Sequence, residues 1–455
     1  MNKSNIYQVR RNALAQHLFT KTGGGVAIIS TAPELTRNRD SEFPYRHDSD
    51  FFYLTGFEEP GATLVMKVEK DGNYFQLQSH LFCRPKDPER EIWDGIRLGP
   101  EAAPEALGIE FAHSNQELDQ KLSDILADQD AVYVSLSENA EADRRLRHWM
   151  KQVRGQARSG INPPSAFHDV EALIHEMRLF KDAQEINTMR RAATISARAH
   201  VRAMQACKPG MREYQLEAEL LHEFRNSGAQ SVAYNSIVAG GANTCILHYR
   251  AGATELRAGE LCLIDAGCEL DGYASDITRT FPVNGKFSGP QRALYDITQA
   301  AQEAAIAMTI VGNTFIQPHE AAVKVLTQGL LDEKLLKLSE LGSLENAIET
   351  GAYRRFYMHR TSHWLGMDVH DVGSYRESST NLVQDEKPWR ILRSGMVITI
   401  EPGLYIRPAD DIDEAFWNIG IRIEDDAVIN DSGCELISRG APVKADEIEA
   451  LMKNT

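Results

Sequence analysis

The sequence predicts a mixed α/β (α+β) chain of two domains, and three observations carry that prediction. Short β-branched apolar runs alternate with helical stretches in the first part. A polar, Pro-containing stretch at residues 155–164 leads to a fresh helical start near residue 178. The second part twice passes through long helices into paired apolar strands. With 455 residues, both parts are long enough to bury a core of their own, and the expected domains are 1–177 and 178–455.

Residues 6–19 carry apolar side chains at helical spacing, and 26–29 read as a short buried strand. The Gly23-Gly24-Gly25 run precedes that strand, whereas a phosphate cradle needs glycines after a strand and before a helix, so it predicts a plain turn. Residues 51–57 and 62–68 read as further strands, and Asp71-Gly72-Asn73 as a turn into a strand over 74–77. A helix is expected over 140–153 and a longer amphipathic one over 183–207, stopped by Lys208-Pro209-Gly210. Two hairpins follow: 261–267 with 275–281, and 396–403 with 420–425. Their recurrence after helices points to a duplicated α/β unit.

Lys and Arg number 49 against 65 Asp and Glu, a formal net charge of −16, with 42% hydrophobic and 25% charged residues. That composition is globular, and its charge repels phosphate backbones and anionic lipid, so neither nucleic acid nor a membrane is expected as partner. No apolar run reaches the roughly 18 residues of a membrane helix, and the first residues lack an apolar signal core, so a cytoplasmic protein is expected. The six cysteines are scattered without a C-x-x-C pair and predict buried free thiols.

The chemistry lies in the acids of the two hairpins. Asp265 and Glu401 each end an apolar strand, and Asp276 and Glu424 sit in the strands that return beside them. A buried carboxylate costs several kcal/mol without compensation, and four together cannot all ionise without strong positive charge. One or two divalent metals supply that charge. Residues 359–373 add His359, His363 and His370, and Ile246-Leu247-His248-Tyr249 adds a fourth imidazole in an apolar setting. In a strand His359 and His363 would share a face, whereas His370 would not. Neutral imidazole suits a transition metal, and a second imidazole suits proton transfer near neutral pH. Neither H-E-x-x-H nor G-x-S-x-G occurs.

The set Asp265, Asp276, His363, Glu401 and Glu424 resembles the Asp-Asp-His-Glu-Glu ligands of the pita-bread metallopeptidases, and within them the aminopeptidase P group. The resemblance is carried by Leu263-Ile264-Asp265-Ala266-Gly267, Asp276-Ile277-Thr278-Arg279-Thr280, Ser362-His363-Trp364-Leu365-Gly366, Ile400-Glu401-Pro402-Gly403 and Gly420-Ile421-Arg422-Ile423-Glu424. Asp50-Phe51-Phe52-Tyr53-Leu54-Thr55-Gly56 and Ile92-Trp93-Asp94-Gly95 extend it into the first part. It implies an N-terminal creatinase-like domain, a C-terminal pita-bread domain with a pseudo-twofold duplication, and two Mn²⁺ per subunit. It also implies hydrolysis of the bond before a proline in second position of a peptide, by a hydroxide shared between the metals.

By the same resemblance Asp276 and Glu424 bridge the metals, Asp265 holds one, and His363 with Glu401 the other, Glu401 also serving as base. His248 and His370 are expected to be catalytic, hydrogen-bonding the substrate and stabilising the oxyanion or shuttling a proton to the leaving group, and His359 and Tyr234 also face the substrate. Arg422 orients Asp265, and Tyr405 is expected to hold Asp276. Trp93 would close a neighbouring subunit's site, implying a homo-oligomer, a dimer or tetramer. Arg360 stands where the family usually has Gly, and the loop 377–388 lacks the arginine with which relatives bind downstream peptide, leaving Arg376 as the nearest substitute. The runner-up activity is that of a prolidase. A methionine aminopeptidase is disfavoured by the extra domain, and a non-catalytic peptidase-like binding module by the retention of all five ligands.

Overall fold

The computed structural model describes residues 3–136, 140–377 and 387–453, and divides into two compact units, Met1–Arg178 and Leu179–Thr455. Most of the loop 377–388, where a peptide-binding arginine was sought, lies outside the described residues.

A six-stranded sheet forms the base of the first unit, ordered Phe111–Ser114, Tyr74–Cys83, Thr63–Asp71, Gly25–Ser30, Ala131–Val134, Ala166–Asp169. Gly25–Ser30 pairs antiparallel with Thr63–Asp71 and parallel with Ala131–Val134, so the sheet is mixed. Val26, Ile28, Val65, Phe82 and Val132 bury one face against Leu122, Leu126 and Trp149, which the helices Leu118–Leu126 and Ala140–Gly155 supply. Gly23, Gly24 and Gly25 all take positive φ between the helix Lys3–Thr22 and the strand, as a turn requires.

Residues 51–57 do not form the expected strand. They belong to the helix Ser49–Thr55, which Asp48 caps by accepting from the Phe51 N–H at 2.8 Å and which Gly56 ends in the left-handed conformation at φ 65°. Six of its seven residues are buried, and an apolar run wrapped on all sides has no period to separate helix from strand. The caps decide.

In the second unit the helix Ala183–Ala206 packs on Glu213–Asn226, and Gly289–Met308 packs on Gln317–Asp332. Asp182 and Glu185 close a capping box at the start of the first. After the first helix pair comes an antiparallel sheet in the order Ile237–Gly240, Leu261–Asp265, Thr278–Pro282. After the second pair comes another, Val397–Ile400, Asp425–Asn430, Gly433–Leu436. Helix pair then antiparallel sheet thus occurs twice.

The expected second hairpin is two pairings rather than one. Val397–Ile400 pairs with Asp425–Asn430, and Gly403–Ile406 with Ile419–Arg422. Pro402 has no N–H to continue a ladder, so the strand ends at Ile400 and Glu401 sits in the break. Glu424 occupies the matching break on the returning chain, with its N–H on Thr278 O at 3.1 Å.

Among the described residues no helix is long and apolar enough to cross a membrane. All six cysteines are free, five of them buried.

Candidate active site

The four strand-end acids converge on one cavity of about 720 Å³ in the second unit, lined by Asp265, Asp276, Glu401, Glu424, His248, His359, His363 and His370. Close backbone approach makes this possible. A Cβ on Gly267 would fall 1.7 Å from Ser275 O, so only glycine lets the chain after Asp265 lie against the segment leading to Asp276. His363 runs along the edge of the strand Val397–Ile400, its carbonyl accepting from Thr399 N at 3.0 Å, while Trp364 forms an isolated bridge to Ile398. No described strand contains His359, His363 or His370, so the shared-face expectation for the first two does not apply. Loop geometry brings all three to the cavity.

Asp276, His363 and Glu424 each offer a ligand atom, all within 4.8 Å of one another. His363 Nε2 is 3.5 Å from Asp276 Oδ2 and 3.6 Å from Glu401 Oε1, and its Nδ1 is 2.9 Å from Trp364 O. That second contact fixes the ring so that Nε2 faces the acids. Tyr234 Oη lies 2.6 Å from Asp265 Oδ1 and 2.5 Å from Asp276 Oδ1. One hydroxyl proton serves one of these oxygens at a time, so the other requires a proton or a cation.

Protonation equilibria point the same way. Burial, reinforced by the charge of Asp265, raises the Asp276 carboxyl, and burial with Asp276, Glu401 and Asp265 raises Glu424 well above the carboxylate range. Burial and the repulsion of Asp276 and Asp265 push Glu401 to about 7 against the pull of His363 and Arg422. His363 loses by burial but gains more from Asp276 and Glu401, reaching about 9. Metal-free, the cluster therefore gathers protons. Four carboxyl groups and one imidazole, oxygen-rich and short of positive charge, fit divalent cations.

His359 and His370 differ from His363. Burial and the nearby Arg422 push His359 down to about 3, so it stays neutral, with Nε2 2.8 Å from Tyr405 Oη and Nδ1 2.8 Å from Arg360 O. His370 is exposed, its ring 4.3 Å from that of His363, and burial together with the charge of His363 lowers it. His248 is exposed on the same cavity.

Arg422 donates from Nη2 to Asp265 Oδ2 at 2.6 Å, from Nη1 to Tyr405 Oη at 2.9 Å and from Nε to Thr278 Oγ1 at 3.1 Å. Its expected contact with Asp265 is present. Tyr405 is placed differently from expectation: its hydroxyl meets His359 and Arg422, while Tyr234 is the phenol on Asp276. The aromatic in 403–406 was close in sequence to Glu401, but the tyrosine over Asp276 comes from a loop before the strand Ile237–Gly240.

Three supporting residues escaped the sequence reading. Thr278 Oγ1 donates to Glu424 Oε2 at 2.6 Å, and its position two residues after Asp276 on the same strand face was the available signal. Asp426 accepts from Asp276 N at 3.2 Å, and Thr399 Oγ1 accepts from His363 N at 3.2 Å. Those two depend on pairing across distant segments. Trp93 lies in the first unit, on the helix Pro88–Asp94, and is 84% exposed.

A two-part α/β chain with buried acids and an oriented imidazole around an open cavity defines a metal-dependent hydrolase. The chain belongs to metallopeptidase family M24, whose model matches residues 187–431, and an aminopeptidase P N-terminal domain matches residues 7–133. It is 45% identical to the Xaa-Pro aminopeptidase of Escherichia coli over 446 residues, 98% of this chain and 97% of that one. The Xaa-Pro aminopeptidase of Haemophilus influenzae is 43% identical over 93% of this chain and 92% of its own. Solved structures of Pseudomonas aeruginosa aminopeptidase PepP and of an Escherichia coli aminopeptidase P variant in complex with substrate each superpose with a TM-score of 0.92 at 45% identity, covering 99% of this chain and 98% of theirs.

Proposed function

We propose that this chain is an Xaa-Pro aminopeptidase, a metallo-exopeptidase that releases the N-terminal residue from peptides with proline in second position. The carrying observation is the convergence of Asp265, Asp276, His363, Glu401 and Glu424 on one cavity, in a chain similar over nearly its whole length to enzymes of that name. Asp265, Asp276, His363, Glu401 and Glu424 would together hold two divalent ions in this reading. Oxygen-rich coordination with a single imidazole favours Mn²⁺.

Bound there, the ions supply Lewis-acid polarisation of the scissile carbonyl and acidify water. Glu401 takes the proton of the attacking water, and the proline nitrogen receives one as the C–N bond breaks. Exposed His248 and His370 hydrogen-bond the substrate and move that second proton, the lowered His370 being neutral and able to accept as well as donate. Neutral His359, its two ring nitrogens held by Tyr405 and the Arg360 carbonyl, lines the substrate cavity without adding charge. Tyr234 and Arg422 hold the acids in place.

Residues 178–455 carry the chemistry in this proposal, and 1–177 the contact between subunits of a homo-oligomer. Ile92, Trp93 and Ile96 are each at least 80% exposed, and a cluster of large apolar side chains in water favours a partner surface. Action on soluble peptides in the cytoplasm belongs to the same proposal.

Ala-Pro, Ala-Pro-Gly, Ala-Ala-Gly and acetyl-Ala-Pro-Gly, assayed side by side with Mn²⁺, test it. Cleavage of Ala-Pro-Gly alone, or more strongly than the others, is expected, because a tertiary X-Pro amide presents a fixed ring and no N–H to the site. Strong preference for Ala-Pro moves the assignment to a prolidase, and cleavage of none moves it to a binding module.

A further inference from the structure

The rim of the same cavity has a chemistry that the four acids and four histidines do not use. Arg250 and Arg360 both line it and both are exposed. Neither guanidinium has an ion pair or hydrogen bond among the described residues, whereas other surface arginines of this unit do: Arg355 holds Asp411, Arg190 holds Glu435 and Arg292 holds Asp296. In a chain with a net charge of −16, acids to pair with are plentiful. Arginines left unpaired beside a binding cavity are available to a ligand.

Arg360 is also positioned. Its guanidinium carbon lies 4.9 Å from the centroid of Trp389, a ring that Arg376 covers as well at 3.5 Å. Arg376 spends a donor on Lys387 O at 2.8 Å, but among the described residues Arg360 keeps all its N–H edges. Contact with a π face holds a guanidinium by its plane and leaves the in-plane fork free, the geometry that a carboxylate takes bidentately. Trp389 in turn stacks near Phe315, itself a lining residue. The neighbouring His359 meets Tyr405, while Arg360 lines the cavity from an exposed position. The family's usual Gly at this position brings no charge.

We propose that Arg250 and Arg360 form a carboxylate subsite for the part of the substrate that follows its proline. Resting on the Xaa-Pro aminopeptidase reading, this inference places the peptide's α-amine toward the acids and an anionic group toward the rim. The anion is a carboxylate, supplied either by the C-terminus of a short peptide or by a downstream Asp or Glu side chain.

Two matched pairs separate the sources: Ala-Pro-Gly against its C-terminal amide, and Ala-Pro-Gly-Asp amide against Ala-Pro-Gly-Asn amide, all with the Mn²⁺-loaded enzyme. The carboxylate-bearing member of at least one pair is expected to show a KM lower by about three- to fivefold, the size of an exposed charged contact, with kcat unchanged. High ionic strength should shrink that difference. Arg360→Gln and Arg250→Gln should each reduce it by raising KM for the acid and not for its neutral partner, while Arg360→Lys keeps part of it. Equal KM within both pairs for the unaltered enzyme overturns the subsite, as does a glutamine variant that raises acid and neutral KM alike. If none of the four peptides is cleaved, the aminopeptidase reading falls with it. Cleavage of all four without a charge preference overturns the subsite alone.

Discussion

Arg422 Nη2 lies 2.6 Å from Asp265 Oδ2, with both side chains largely withdrawn from water. Among the described residues this is the one guanidinium bonded to a carboxyl group of the cluster, and it stands against four of them. One charge does not balance four, and proton uptake or metal supplies the remainder.

Metal removal is therefore the first test. Chelator-treated protein is expected to lose peptidase activity and to regain it with Mn²⁺, binding close to two ions per chain as measured by elemental analysis. Full activity in exhaustively metal-free protein overturns the metallopeptidase mechanism.

Arg422→Met leaves Asp265 buried without its cation. Breaking a buried pair from one side costs about 3–5 kcal/mol, so the metal-free variant should melt well below the metal-free parent. Added Mn²⁺ should narrow the gap, because a cation bound to the folded state compensates the same carboxylates. Thermal scans of both proteins, with and without the ion, read this directly, and an unchanged melting temperature contradicts it.

The two histidines whose rings meet at 4.3 Å should separate by function. His363→Ala is expected to lower metal occupancy together with activity, by roughly 10-fold or more in affinity. His370→Ala should lower kcat while leaving metal content near that of the parent. Equal metal loss in both variants shows the roles to be misassigned.

Much of this site was legible because burial of an acid leaves a mark in sequence. Asp265 follows the buried apolar run 261–264 and Glu401 the β-branched run 397–400, and a charge at such a position demands a compensating partner. The supports were harder to see. The bond from the Asp276 N–H to the Asp426 carboxylate and the Tyr234 bridge join segments 150 and 42 residues from Asp276, and nothing local in either segment specifies the partner. Local period also failed where burial was uniform, as at residues 51–57, and where Pro402 split one expected strand into two. Gly267 closes the expected strand 261–267 with no local reason for a glycine; the reason is the approach of Ser275 O.

The first unit has a pH-sensitive pair. His80 Nδ1 lies 3.2 Å from His113 Nε2, and burial, with His113 next, pushes His80 down to about 4 from the usual 6.5. A histidine depressed in the fold takes its proton more readily when unfolded, so its contribution is present above pH 6.5 and is lost as pH falls toward 4. Denaturation of the parent between pH 7 and 4.5 should show stability declining, and His80→Gln should flatten that decline. Parallel pH profiles for the two proteins count against it.

The last prediction concerns the loop that carries His363 and His370. Lys181 Nζ meets Asp371 Oδ2 at 2.8 Å with each side chain 1% exposed, tying that loop to the residue just before the Asp182 cap of the helix Ala183–Ala206. Asp371 N closes the loop on Trp364 O at 2.9 Å, and Gly366 leaves room for the pair, since a Cβ there would lie 2.1 Å from Asp371 Oδ2. Lys181→Met strands a buried carboxylate and should cost about 3–5 kcal/mol in urea denaturation at fixed Mn²⁺. Lys181→Met combined with Asp371→Leu removes both charges and should recover part of that loss, because a buried pair replaced by apolar groups is far less costly than one broken from a single side. In the single variant the loop loses its anchor, so kcat should fall with metal content retained, the proposed ligand His363 being held separately by Thr399 and Trp364. A single variant as stable as the parent, or a double variant no better than the single, shows that the ion pair does not anchor the loop.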